Sequence, residues 1–175
     1  LEDLRMRQQS SVLLLEGDAG IGKSHLVNAF AEIAKLRGCR ILHGNGDAID
    51  QSTPWFAWRS VIADLIGLEY VNHDAGELQR SICERFELHD ELQKLLPLLS
   101  SVLPQAWSDN EWTAQMKGAI RADNTNRLLL RLVAQAAEES PLVLVMEDTH
   151  CFDSASLRLL RSVAASVRPL HVLTT

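Results

Sequence analysis

Positions 17 to 24 read Gly-Asp-Ala-Gly-Ile-Gly-Lys-Ser, a spacing suited to gripping a chain of phosphates. Gly17, Gly20 and Gly22 let the backbone curl until successive N–H groups face one cavity, and Asp18, Ala19 and Ile21 add their amides to it. A helix expected to start at Lys23 contributes the positive end of its dipole to the same spot. Lys23 can then reach β- and γ-phosphates, and the Ser24 hydroxyl can ligate Mg²⁺. His25, beside Ser24, is a further nucleotide-binding candidate, with facing solvent or packing on the sheet as its plainer roles. With Gly at about 7% of residues, a chance match to G-x-x-x-x-G-K-[S/T] arises in roughly one chain of this length in a hundred or fewer.

A phosphate cradle holding Mg²⁺ needs a carboxylate from a neighbouring strand, and phosphate hydrolysis needs a group to orient or deprotonate water. Glu147 and Asp148 supply both, directly after the apolar run Leu142-Val143-Leu144-Val145-Met146. Ligands of open parallel sheets bind at that carboxyl edge. Glu147 is assigned to the metal, usually through water, and Asp148 to the attacking water. The reverse division is open: loss of the metal ligand weakens Mg²⁺-nucleotide binding, whereas loss of the base mainly lowers turnover. Many buried strands end in acids for solubility alone, so the pair gains weight only beside the phosphate loop.

The elements that must position these groups follow from pattern. Ser11–Glu16 is a short apolar run before glycines and predicts a buried strand. Leu26, Val27, Phe30, Ile33 and Ala34 recur at helical spacing, and Gly38 suits a helix-ending glycine. Arg40–Leu42 is a second strand candidate. Strand, glycine loop, helix and strand make a βαβ unit, hence a parallel, right-handed sheet. Thr53-Pro54 reads as an N-cap and first-turn proline opening a helix with Trp55, Trp58, Ile62 and Leu65 on one side. Segments near 75–88 and 90–103 look helical, with Pro97 interrupting the second. Pro104–Gly118 reads as a loop, and Asp123–Glu139 as an amphipathic helix stopped by Pro141. Asp153 caps a further helix carrying Leu157, Leu160, Val163 and Val167, and Leu170–Thr175 forms a last strand.

The bulk properties bound the class. The chain has 175 residues, 46% hydrophobic and 23% charged, with a net charge of −6. That suits one α/β domain with a real core. The acidic balance argues against direct nucleic-acid binding and against an anionic membrane surface. No apolar run approaches the ~18 residues of a membrane span. Cys39, Cys83 and Cys151 are scattered, which suggests reduced thiols and a cytoplasmic setting. The start lacks a signal-peptide core and a Met, so positions 1–175 are expected to be a single domain cut at both ends from a longer protein.

The run LVLVMEDTHCFDSASLRLL resembles the Walker B region of STAND-type signalling ATPases, relatives of AAA+ proteins, in which two acids precede x-His-Trp-Ala-Asp and a Ser-Leu-rich helix. Ser52-Thr53-Pro54-Trp55 to Trp58-Arg59 is similar to the Pro-Tyr-x-Pro-Trp segment after their second strand. Val172-Leu173-Thr174-Thr175 resembles their sensor strand. The resemblance covers nearly the whole chain, with Cys151-Phe152 standing where the family usually has Trp-Ala. It implies a P-loop three-layer α/β sandwich with a parallel sheet in 5-1-4-3-2 order, the fifth strand lying beyond Thr175, and a helical insert over 53–140. It implies ATP with Mg²⁺ as ligands, slow ATP hydrolysis, and Thr174 or Thr175 as γ-phosphate sensor. It also implies self-association and a nucleotide state that controls an effector domain in the same polypeptide, such as a class III adenylate cyclase, kinase or helix-turn-helix domain. A nucleotide-binding scaffold without turnover is the alternative; a small-molecule phosphotransferase would want a lid and a substrate segment that are not apparent.

Other residues invite function but have plainer roles. His150 could sense phosphate but better suits fixing the loop after the strand. The tryptophans Trp55, Trp58, Trp107 and Trp112 could stack on a base, yet packing is the simpler expectation. Arg127 and Arg131, at i,i+4, fit a solvated helix face better than an arginine finger. Cys151 has no base placed near it by sequence.

Overall fold

A computed structural model describes residues 10–18, 20–67, 75–103 and 107–175. Four strands, β1 (Ser11–Leu14), β2 (Arg40–Asn45), β3 (Leu142–Glu147) and β4 (Leu170–Thr174), form one parallel sheet in the order β1-β4-β3-β2. This is the 1-4-3-2 portion of the order expected from the sequence. Leu14 pairs with Thr174, Thr174 with Met146, and Asn45 with Glu147. The carboxyl ends of the four strands are therefore level, and the segments leaving them share one edge.

β3 is the centre of the molecule. Leu142 through Met146 are all buried, as a strand covered on both faces requires. Alternation sends Leu142, Leu144 and Met146 into the larger core with Leu42, Trp58, Leu128 and Val172. Val143 and Val145 turn to a smaller core with Val27, Ala34 and Leu173. Each such side chain contributes about 1.5–3 kcal/mol by leaving water. Helix α1 (Lys23–Leu36) supplies Val27, Ala31 and Ala34 to the second layer and ends before Gly38, whose φ is 77°.

Between β2 and β3 the described residues form helices only. These are α2 (Arg59–Ile66), α3 (Ala75–Arg85), the short α4 (Asp90–Gln93), 3-10 turns at Phe56–Trp58, Leu96–Ser101 and Thr113–Gln115, and the long α5 (Gly118–Glu139). Helix α6 (Ser154–Ser166) packs beside α5 and returns the chain to β4. Trp55, Trp58 and Trp107 are buried, while Trp112 is exposed beneath the Lys94 ammonium, 4.7 Å from its ring. No helix among the described residues is long and apolar enough to cross a membrane.

Three expectations change. β1 is not a buried strand: Val12, Leu13 and Leu14 are 58, 47 and 61% exposed, because β4 flanks it on one side and its other edge is unpaired in the described sheet. Thr53 is not a helix N-cap. Trp55 adopts φ 55°, and its N–H is drawn to Asp153 Oδ1 at 3.2 Å, so a 3-10 turn (Phe56–Trp58) precedes α2. Helix α5 begins at Gly118 instead of Asp123. Its first turn faces solvent at Ala119 and Ile120, and so lacks the apolar rhythm that marks the rest.

Candidate nucleotide site

The loop from β1 to α1 turns at its glycines. Gly20 and Gly22 have φ of 81° and 103°, the left-handed region that favours glycine, and nothing lies within 4 Å of where a Cβ would stand. Gly22 is the residue from which α1 starts, with no side chain capping its first amides. A helix start without a side-chain cap is the kind of end that accepts an anion. Asp18 and Ile21 close a turn within it, the Ile21 N–H donating to the Asp18 carbonyl at 3.4 Å. Ala19 lies outside the described residues.

Lys23 arches back over this loop. Its Nζ donates to the carbonyl oxygens of Gly17 at 2.7 Å and Asp18 at 3.1 Å, which holds the ammonium at the loop's centre. Ser24 Oγ donates to Glu147 Oε2 at 3.1 Å across the gap between α1 and the end of β3. A hydroxyl and a carboxylate oxygen so placed form a hard-oxygen pair, the donor chemistry that would suit Mg²⁺. No cluster of three or more His, Cys, Asp or Glu that could hold a metal alone occurs among the described residues. His25 is exposed on α1.

A cavity of about 610 Å³ lies at this edge, walled by Leu14 to Gly17, Lys23, Asp148 to His150 and Thr175. Asp148, Thr149 and His150 enter it because the chain turns sharply after β3, with Asp148 at φ 53° and ψ 45°. Thr175 enters from the end of β4. Thr174 does not: it is 7% exposed, and its Oγ1 points to the Leu13 carbonyl at 3.4 Å. Alternation along the strand thus puts Thr175 in the cavity and Thr174 against β1. Another cavity, of about 550 Å³ beside Trp55, Arg121 and Arg158, touches none of the phosphate-loop residues.

Asp153 links this edge to the helical region. Its Oδ1 accepts from the N–H groups of Ala155 and Ser156, both at 2.9 Å, capping α6 as the sequence predicts, and also from Trp55. Its Oδ2 accepts from Ser156 Oγ. Two further features were not apparent from the sequence. Gly46, after β2, lies against the Asp148 carbonyl, and Thr175 binds the backbone of Asp148 and Thr149. The glycines of His43-Gly44-Asn45-Gly46 were the available signal, since a glycine at a strand end often marks a close backbone approach. Arg127 pairs with Glu91 of α4 and Arg131 with Glu138 of α5, away from the cavity. Cys151 is buried.

A parallel sheet whose first strand feeds a glycine-rich cradle, with acids at the end of a neighbouring strand, defines a P-loop nucleoside-triphosphatase fold. Residues 1–174 match the family model described as AAA ATPase domain. The chain belongs to that family, and with it to the P-loop ATPases. It is also similar to an uncharacterized protein of Rhizobium meliloti (strain 1021), with 28% identity over 170 residues. That match covers 94% of this chain and 16% of the Rhizobium protein, so the chain spans about a sixth of that relative's length.

Proposed function

We propose that this domain binds ATP with Mg²⁺ and hydrolyses it slowly, its nucleotide state controlling an effector elsewhere in a longer signalling polypeptide. The observation that carries the chemistry is the meeting of Lys23, the Ser24–Glu147 pair, Asp148 and Thr175 at one strand edge. The loop amides and Lys23 hold the phosphates and neutralise charge that develops on them. Ser24 and Glu147 would hold Mg²⁺, which would supply positive charge to the phosphates when bound. Asp148 orients a water and takes its proton as the water oxygen bonds to the γ-phosphorus. The bond from that phosphorus to the β–γ bridging oxygen breaks, and ADP leaves with the electron pair. Thr175, not Thr174, is the better placed of the two to feel the γ-phosphate.

The effector reading rests on the resemblance to signalling ATPases, and the small share of the Rhizobium relative that the domain covers is consistent with it. The exposed outer edge of β1 suits addition of a fifth strand, which would complete the 5-1-4-3-2 order. Self-association through the nucleotide and a cytoplasmic location belong to the same reading. The competing reading is a scaffold that holds nucleotide without turnover. Asp148→Asn in the full-length protein separates the two. A working ATPase retains binding of a fluorescent ATP analogue and loses phosphate release by ~10²–10⁴-fold. If phosphate release by the wild type is absent, or the substitution leaves it unchanged, hydrolysis by Asp148 is excluded.

A further inference from the structure

We propose that Gly46 and Thr175 are positioning residues for Asp148, clamping the turn after β3 so that the carboxylate faces the phosphate cavity. The proposal rests on the reading of Asp148 as the group that orients water.

Asp148 occupies the left-handed region, which residues with a Cβ enter only when their surroundings hold them there. The surroundings are specific. On one side, the Asp148 N–H donates to Thr175 Oγ1 at 3.1 Å. The Thr149 N–H and hydroxyl both donate to the Thr175 carbonyl, each at 2.9 Å. The Thr175 N–H donates in turn to the Met146 carbonyl at 3.1 Å. One residue after β4 thus satisfies backbone groups on both sides of Asp148.

On the other side stands Gly46. Its N–H donates to the Glu147 carbonyl at 2.9 Å, extending the ladder between β2 and β3 by one residue. A Cβ at position 46 would lie 2.4 Å from the Asp148 carbonyl oxygen and 2.9 Å from Cys151 Cβ. That carbonyl also accepts from the Cys151 N–H at 2.8 Å, closing the 3-10 turn. Gly46 is not among the residues with left-handed φ. Position 46 therefore requires glycine for space, not for conformation. A side chain there must push the Asp148 peptide away, rotating the residue that carries the carboxylate. The clamp spans β2, β3 and β4, so a shift of any one strand end would be felt at Asp148.

The test uses the full-length protein with Gly46→Ala, Thr175→Val and Thr175→Ser, each alone and combined with Asp148→Asn. Turnover with Mg²⁺-ATP and affinity for a methylanthraniloyl-ATP probe are measured for each. Gly46→Ala and Thr175→Val should each lower kcat tenfold or more, and Gly46→Ala, which lies outside the cavity wall, should leave the probe's Kd within twofold. Thr175→Ser, which keeps the acceptor oxygen, should restore most of the rate. On the Asp148→Asn background Gly46→Ala should not lower the rate further, because the group being positioned is gone. Unchanged kcat, or a Gly46→Ala loss that adds to that of Asp148→Asn, would overturn the clamp while leaving the Asp148 reading intact. If Asp148→Asn itself retains full turnover, the Asp148 reading fails instead. Amide hydrogen exchange is independent of turnover: Thr175→Val should speed exchange at Asp148 at least tenfold and Thr175→Ser should not, and equal protection in both rejects the proposal.

Discussion

Replacing Asp153 with alanine removes four hydrogen bonds at one point, because a single carboxylate caps α6 and holds the turn before α2. The cap bonds to Ala155 and Ser156 are worth about 1 kcal/mol together, the usual cost of an N-cap change to alanine. The Trp55 N–H and the Ser156 hydroxyl are buried and would each lose a partner. An unsatisfied buried donor costs about 1–3 kcal/mol, so at the low end the sum is about 3 kcal/mol. For a domain of this size that corresponds to a fall in Tm of about 6–12 °C. Urea unfolding followed by tryptophan fluorescence reads the change directly, since Trp55 and Trp58 are buried in the region that loosens. Asp153→Asn keeps one acceptor oxygen and should lose about half as much. A loss below about 0.5 kcal/mol for the alanine variant would refute the reasoning, since it would mean that water replaces the carboxylate at no cost.

Two further expectations follow from the same geometry. Glu147→Gln removes the charged member of the Ser24 pair, so ATP affinity in the presence of Mg²⁺ should fall about tenfold while Mg²⁺-free affinity is unchanged, as calorimetry with and without chelator would show. The Arg121 guanidinium, and then the Thr113 hydroxyl, hold the Asp109 carboxyl below the usual carboxylate range. A lowered folded-state pKa adds stability above the ordinary carboxylate pKa of about 3.9 and loses it as pH falls through the lowered value. Asp109→Asn should accordingly cost about 0.5 kcal/mol at pH 7 and little at pH 3 in parallel urea titrations.

The parts of this molecule that were legible in its sequence are those whose physics is local. The phosphate loop depends on backbone freedom at Gly20 and Gly22, which the residue types declare. β3 declares itself because a strand covered on both faces must be apolar at every position. Asp153 was readable as a cap because capping is settled within three residues. What was not legible depends on distant partners. Whether Ser11–Leu14 is buried depends on which strands flank it, and that is a property of the sheet. Trp55 escapes the helix suggested by Thr53-Pro54 because a carboxylate 98 residues away binds its N–H. The choice between Thr174 and Thr175 turned on the phase of β4 at its last residue. Gly46 carries no local sign of its role, because the carbonyl that fills its side-chain position belongs to the distant Asp148.

The central claim is that the amides from Gly17 to Ser24, with the Lys23 ammonium, form a seat for triphosphate. Isothermal titration of ATP with Mg²⁺ into the full-length protein, wild type and Lys23→Ala, tests it most directly. One saturable site per chain, weakened at least ~10²-fold by the substitution, is the predicted result. No heat at millimolar ATP, or equal affinity in the two proteins, would contradict it.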